Sequence, residues 1–309
     1  MTLPNFLVIG AAKAGTSSLA QYLGQHPEVF VNREWKELRV FAYDDHPPAG
    51  NGPGDVESNR HTTTTLAAYA AYFADANGEK AIGEVSPVYL YSERAPASIQ
   101  QYVPNAKLIA ILRDPAERAY SHYLHLLRDQ RESLWDFGAA LAAEDCRVRD
   151  NWEWSWHYRR VGLYHDQLKR YFERFNRAQI RVYLYEDFLA DPVGLLQDIF
   201  RFLAVDERFV PDTSVRHNTS SVPRRRAAAQ AMLAAHTSIK RILKPVQRLI
   251  PRSVWRGGTA AFWQMYDANL VKPALSPDHR RQLVTGYHDD IVRLEALIDR
   301  DLSRWREYR

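Results

Sequence analysis

Residues 10–18 read Gly10-Ala11-Ala12-Lys13-Ala14-Gly15-Thr16-Ser17-Ser18. They follow the apolar run Phe6-Leu7-Val8-Ile9 and lead into a stretch of helical periodicity, so the pattern is strand, loop, helix. Small residues let a backbone wrap an anion. A helix start adds outward amide groups and the positive end of a dipole. The loop is therefore suited to a phosphate group. Its spacing imitates the nucleoside-triphosphate P-loop of Gly, four residues, Gly, Lys, Ser or Thr. Gly10 and Gly15 fit, but Thr16 stands where the lysine belongs, and Lys13 lies two residues before Gly15. The three spaced glycines of a dinucleotide loop are absent. The plain alternative is an ordinary glycine-containing strand–helix turn.

A second anion site is suggested by Arg113, which closes the apolar run Leu108 to Leu112. Ligands of open α/β sheets bind beyond the carboxyl ends of strands, where a guanidinium can grip a phosphate with two parallel hydrogen bonds. Ser121, eight residues on, could add a hydroxyl from the following helix. The alternatives are an ion pair of Arg113 with Asp114 or Glu117, and a plain helix-face hydroxyl at Ser121. No cluster with metal-ligand spacing is visible: His122 and His125 stand at helical spacing but lack Cys or acidic partners, and His217 and His288 fall on different elements.

The elements that must position these groups alternate between strand and helix. Strands are expected at 6–10, 29–31, 80–85, 107–113 and 180–185. Helices are expected at 16–25, 62–76, 92–102, from Pro115 onward, at 152–175, at 191–203 and at 276–305, with a Gly/Pro-rich loop at 44–60. Such alternation indicates an α/β protein with a central parallel sheet. No repeat or linker is apparent, so residues 1–309 are expected to form one domain.

The composition sets the class. The chain has 309 residues, 46% of them hydrophobic and 25% charged, as in soluble globular proteins. The single cysteine, Cys146, rules out an intrachain disulfide and a cysteine-based metal site. No apolar run reaches the roughly 20 residues of a membrane span, and residues 1–6 lack a basic signal-peptide start. The expected compartment is the cytoplasm. The formal net charge of +4 hides an uneven spread: ten basic and no acidic residues lie between Arg216 and Arg256, leaving 31 basic against 37 acidic elsewhere. Such a segment expects an anionic partner. Within it, residues 239–250 have one apolar and one basic helical face. That pattern suits a helix packed on the core, peripheral contact with an anionic membrane, or an acidic acceptor, with Trp255, Trp263 and Tyr266 as a nearby wall.

The motifs together resemble the sulfotransferases that use 3′-phosphoadenosine-5′-phosphosulfate (PAPS), and most of all bacterial enzymes related to the heparan-sulfate branch. Lys13-Ala14-Gly15-Thr16-Ser17-Ser18 looks like their 5′-phosphosulfate loop. The resemblance continues through Gln25-His26-Pro27, Lys36-Glu37 with Phe41, Gly83-Glu84 with Ser86-Pro87, and Leu112-Arg113-Asp114-Pro115 with Ser121. It extends through Tyr185-Glu186-Asp187, Asn218 with Pro223-Arg224, and the closing stretch from Tyr287 to Trp305. It implies a P-loop NTPase-like three-layer α/β fold, PAPS as sulfuryl donor, 3′,5′-adenosine bisphosphate (PAP) as product, and no metal. It further implies that Arg113 and Ser121 hold the 3′-phosphate, helped from a closing basic loop by Arg224 as first choice and by Arg225, which with Arg226 could instead face solvent or the acceptor.

By the same resemblance Glu37 is the base that deprotonates the acceptor, raised in pKa by the cofactor's negative charge, and Lys13 neutralises the leaving phosphate. The alternative for Glu37 is an exposed acid paired with Lys36 or Arg39. Lys36 and Arg39 could orient the sulfonate or the acceptor, and Glu84 is either structural or part of the cleft. The animal glycan enzymes often carry a lysine between the residues matching Glu84 and Ser86, where this chain has Val85. Leaving-group duty then falls on Lys13 alone or is shared with Lys36. Histidine is the base in the cytosolic small-molecule branch, but His122 and His125 come too late in the chain for that role. The acceptor is expected to be a small molecule or glycan, with no nucleic acid. The other classes are a P-loop nucleotide-dependent kinase and a nucleic-acid-binding protein using the basic 216–256 segment.

Overall fold

Five consecutive apolar residues cannot leave one face in water, so a strand built of them must be covered on both sides. β1 (Phe6–Gly10) and the equally apolar β4 (Lys107–Leu112) accordingly pair in parallel at the centre of the sheet, with Phe6 to Ile9 and Leu108 to Leu112 fully buried. A computed structural model describes residues 2–32, 37–43, 46, 48, 50–60, 62–215, 221–224, 231, 232, 235, 238, 262, 265, 266, 269–271 and 273–308.

The remaining strands are β2 (Val29–Val31), β3 (Ala81–Val85) and β5 (Ile180–Leu184), and the order across the sheet is β2-β3-β1-β4-β5, all parallel. Along the sequence come α1 (Thr16–Leu23), α2 (Val40–Tyr43), α3 (Asp55–Asn59), α4 (Leu66–Ala71), α5 (Val88–Tyr91) and α6 (Ala95–Tyr102). They are followed by α7 (Pro115–Arg128), α8 (Phe137–Ala142), α9 (Glu144–Arg149), α10 (Tyr164–Phe172), α11 (Tyr185–Ala190) and α12 (Pro192–Leu203). A short antiparallel pair, β6 (Val222–Pro223) with β7 (Leu270–Val271), packs near α7, and α13 (Pro277–Ile298) closes the chain against α7 and α10. This is the P-loop-like parallel sheet flanked by helices that the motifs imply. Because all strands run the same way, the ends of β1, β3, β4 and β5 share one edge. The strand order reverses beside β1, which is where such sheets open a crevice.

Four expected elements differ. Residues 152–175 form two 3₁₀ turns (Trp154–Trp156 and Arg160–Gly162) before α10, rather than one helix. The break is held by buried polar groups. Trp156 Nε1 donates to Asp55 at 2.8 Å, and Asp290 of α13 accepts from the backbone amides of Tyr164 (2.8 Å) and His165, so α10 starts only there. The expected 62–76 helix shortens to α4, started by the Thr65 hydroxyl accepting from the Ala68 amide at 3.4 Å. The expected 276–305 helix stops at Ile298, because Asp299 takes a left-handed conformation (φ 54). The 44–60 loop contains α3, whose Asp55 is fully buried. The amphipathic stretch 239–250, with Trp255 and Trp263, lies outside the described residues, while Tyr266 is buried.

His26 is a structural histidine. Its Nδ1 accepts from the Glu28 amide at 3.0 Å, its Nε2 meets the Asp206 carbonyl at 2.9 Å, and its ring packs on Phe200. The fit of β1 on β3 depends on Gly83, since a Cβ there would overlap the Phe6 ring. Gly83→Ala should destabilise the protein by about 1–3 kcal/mol through overpacking, measured by urea unfolding. A variant as stable as the parent would show that this part of the sheet is loosely packed.

Candidate functional site

The loop after β1 turns through two left-handed residues, Lys13 (φ 68) and Gly15 (φ 88), before α1 begins. At Gly15 a side chain is excluded twice. The backbone conformation disfavours it, and a Cβ would lie 2.9 Å from Tyr185 Cε2. Gly15 is the helix cap and contributes no side-chain hydrogen bond. The first amides of a helix have no intrahelical acceptor, and those of α1 open on the loop of Lys13 to Gly15. Lys13, Gly15, Thr16, Ser17 and Ser18 all line a cleft of about 620 Å³, whereas Ala14 is fully buried beneath it.

Arg113 follows β4 and enters the same cleft. Its Nη1 donates to the Lys13 carbonyl at 3.1 Å, its Nη2 pairs with Glu117 at 3.3 Å, and its guanidinium lies 5.0 Å from the Tyr185 ring centre. The ion pair with Glu117 and the place in the cleft, set out as alternatives from the sequence, therefore coexist. Ser121 is buried two turns into α7 and also lines the cleft. Asp114 caps α7 by accepting from the Ala116 and Glu117 amides at 2.9 and 3.2 Å, with Pro115 in the first turn. Arg224 is exposed beside β6, its amide donating to the Asn269 carbonyl at 2.7 Å. Arg225 and Lys36 lie outside the described residues.

Glu37 lines the opposite wall. Its amide donates to the Val85 carbonyl at 3.2 Å, and the Arg39 amide donates to Glu84 and to Ser86 Oγ at 3.3 and 3.2 Å. Glu84 is structural. It is buried at 3% exposure and accepts from Tyr69 (2.6 Å), Tyr89 (2.9 Å) and Ser86. Burial raises its pKa, which those four donors oppose. Glu37 and Arg39 both have left-handed backbones (φ 68 and 63). Such conformations in non-glycine residues persist only when surroundings enforce them, and they cluster at functional sites.

The Glu37 carboxylate pairs with Arg39 at 3.2 Å, and Arg39 pairs with buried Glu153 at 2.9 Å. Glu153 in turn pairs with Arg131 at 3.1 Å, and Arg131 with Asp55. Glu37 thus joins a chain of alternating charges drawn from residues as far apart as 37 and 153. Sequence reasoning missed Arg131, Glu153 and Trp154 in this wall, and no local pattern marks them.

His122 and His125 also line the cleft, despite their late place in the chain, because α7 starts just after β4 and carries them along it. Arg118 Nη1 lies 3.2 Å from His122 Nδ1, and Arg128 Nη2 lies 2.9 Å from His125 Nδ1. A guanidinium can only donate, so each Nδ1 accepts and each neutral ring carries its proton on Nε2. Burial, with Arg118 and Lys13 nearby, pushes His122 well below the ordinary histidine range. Burial and Lys13 push His125 down to about 3, against the opposing pull of Asp129 and Glu37. Both rings offer hydrogen-bond donors rather than bases at neutral pH. Among the described residues no group of His, Cys, Asp and Glu side chains is placed to hold a metal ion, and no helix is long and apolar enough to cross a membrane.

A depressed folded-state pKa means that the unfolded chain takes up the proton first. The stability tied to His125 is present above its ordinary value of 6.5 and lost as pH falls from there towards about 3. His125→Gln should therefore lose less stability than the parent across that window, measured by urea unfolding at a series of pH values. Equal losses would contradict the buried neutral ring.

Comparison with known proteins follows the same lines. The profile described as "Sulfotransferase family" matches residues 4–209. The crystal structure of a sulfotransferase from Alicyclobacillus acidocaldarius superposes with a TM-score of 0.78 at 36% identity, covering 99% of this chain and 100% of that one. The mouse bifunctional heparan sulfate N-deacetylase/N-sulfotransferase 4 is 29% identical over 221 residues, 67% of this chain and 23% of that protein. The membrane-associated sulfotransferase kil1 of Dictyostelium discoideum is 32% identical over 126 residues, 40% of this chain and 23% of that protein. The chain thus matches less than a quarter of the length of these two relatives.

Proposed function

The chain belongs to the sulfotransferase family, and we propose that it transfers a sulfuryl group from PAPS to a hydroxyl or amine of a carbohydrate, glycolipid or natural product. The observation that carries this reading is the meeting of three groups in one cleft: the loop of Lys13 to Ser18, the pair Arg113 and Ser121, and the carboxylate of Glu37. Two anion-binding groups bridged by the Arg113–Lys13 hydrogen bond suit a donor with two phosphate-bearing ends. The side-chain-free approach at Gly15 supports the fit of the first, and the buried hydroxyl of Ser121 beside Arg113 that of the second.

When bound, PAPS supplies an activated sulfuryl group. The chain's residues supply position and charge. In this reading the amides at the start of α1, with Thr16, Ser17 and Ser18, hold the 5′ end, and Arg113 and Ser121 hold the 3′-phosphate. Arg224 and Arg225 are the proposed closing groups. The packing of β6 near α7 supports Arg224, while Arg225 rests on the sequence alone. Glu37 takes the acceptor proton as the new bond to sulfur forms, and Lys13 neutralises the phosphate oxygen that leaves with the electron pair of the broken bond. Arg39 holds Glu37 in place, and its shared pairing with Glu153 limits how far its charge weakens Glu37 as a base. Val85 is buried and contributes its carbonyl to this wall, so no lysine duty arises there. A kinase would want its lysine at position 16, where this chain has Thr16, and the loop carries its lysine at Lys13 instead. Peripheral membrane contact through residues 240–256, cytoplasmic location and a single domain over 1–309 are parts of the proposal that rest on the sequence alone.

The acceptor can be found by mass spectrometry of cell extracts incubated with enzyme and PAPS, as a product gaining one sulfonate. With that acceptor, Lys13→Ala should lower turnover by about 10²–10³-fold, the scale of a lost transition-state charge partner. Lys36→Ala run alongside decides whether Lys36 shares the duty. Unchanged turnover in Lys13→Ala would overturn the assignment.

A further inference from the structure

The Arg113 guanidinium, proposed above to grip the 3′-phosphate, is already engaged. Glu117 sits on it at 3.3 Å, one turn into α7. An anion reaching Arg113 meets a carboxylate of the same sign already paired with Nη2. The structure shows where that carboxylate can go. Arg280, at the first turn of α13, has its Nη1 at 4.0 Å from the other oxygen of Glu117. The same side chain is pinned on its remaining edges. Nη2 pairs with Asp114 at 2.8 Å, and Nε donates to the Glu307 carbonyl at 3.0 Å. Glu117 therefore lies between two guanidiniums, one facing the cleft and one held by the C-terminal helix. Both arginine side chains are about one-tenth exposed, while Glu117 is about one-third exposed and has room to turn.

The charges favour this exchange. Arg113 and Arg280 balance Asp114 and Glu117 when no ligand is present. The nearby Glu186 accepts from the Asp114 amide at 3.3 Å, and burial raises its pKa. Without Arg280, two carboxylates would face one guanidinium at the edge of an anion site.

We propose that Arg280 is a positioning residue for the 3′-phosphate site and acts through Glu117, drawing that carboxylate off Arg113 so that Arg113 can hold phosphate. The proposal rests on the assignment of Arg113 to the 3′-phosphate. It links α13 to the cleft at the strand ends.

The test is calorimetric binding of PAP and of adenosine 5′-monophosphate, which lacks the 3′-phosphate, and needs no acceptor. Arg280→Gln should weaken PAP about tenfold or more, the scale of a coupled charge pair, and leave adenosine 5′-monophosphate within about twofold. Arg280→Lys should recover part of the loss. Glu117→Gln, at a partly exposed site that should fold normally, should tighten PAP. Arg280→Gln added to Glu117→Gln should cost less than it does alone. Equal weakening of both nucleotides, or weaker PAP binding in Glu117→Gln, would overturn the role of Arg280 while leaving the site assignment standing. A parent protein that binds PAP no better than adenosine 5′-monophosphate would overturn the 3′-phosphate assignment itself, and this role with it.

Discussion

The hydrogen bond from Arg113 to the carbonyl of Lys13, 3.1 Å long, joins the two halves of the site. One partner closes β4 and the other sits in the loop that leaves β1. Those strands are neighbours because both are uninterrupted apolar runs that must be buried on two faces. The sheet thus sets the spacing of the two groups proposed to bind anions, and the Arg113 hydrogen bond ties them together. Tyr185, at the end of β5, completes the arrangement. It stacks on Arg113 and approaches Gly15 so closely that no side chain is tolerated there. Three strand ends converge on one charge.

The facing wall obeys a different constraint. Glu37 and Arg39 have backbones that ordinary residues avoid, and they stay there because Glu84 and Val85 at the end of β3 accept their amides. Burying Glu84 costs free energy, offset by hydroxyl donors from Tyr69, Tyr89 and Ser86. From Arg39 the charges then alternate through Glu153 and Arg131 to Asp55. Buried ion pairs of this kind are weak sources of stability, and removing one partner is expensive because it strands the other. Their value here is positional: a carboxylate proposed as the base is held by a chain whose far end is wholly out of water.

Much of this was legible in the sequence, and the reasons are specific. The five strands of the sheet announced themselves as short apolar runs bounded by breakers, and Arg113 marked a strand end where a ligand could bind. Gly15 and Arg113 could be singled out because they follow strand ends, whereas Glu37 and the role of Ser121 came from the resemblance to the sulfotransferases. The stretch 152–175 was misread because its aromatic and charged residues have helical spacing. Its turns are instead imposed by Asp55 and Asp290, about a hundred residues away in either direction. Arg131 and Glu153 were invisible for the same reason, since their partners are distant. His122 and His125 were set aside by their place in the chain, although a helix that starts at the crevice and runs along it brings them back into the wall.

A crystal structure of the protein with PAP tests the account most directly. The account predicts the 5′-phosphate against the start of α1 between Lys13 and Ser18, and the 3′-phosphate on Arg113 and Ser121. It also predicts Glu117 turned from Arg113 towards Arg280. PAP bound with its phosphates exchanged, or outside this cleft with the Arg113–Glu117 pair intact, would contradict it.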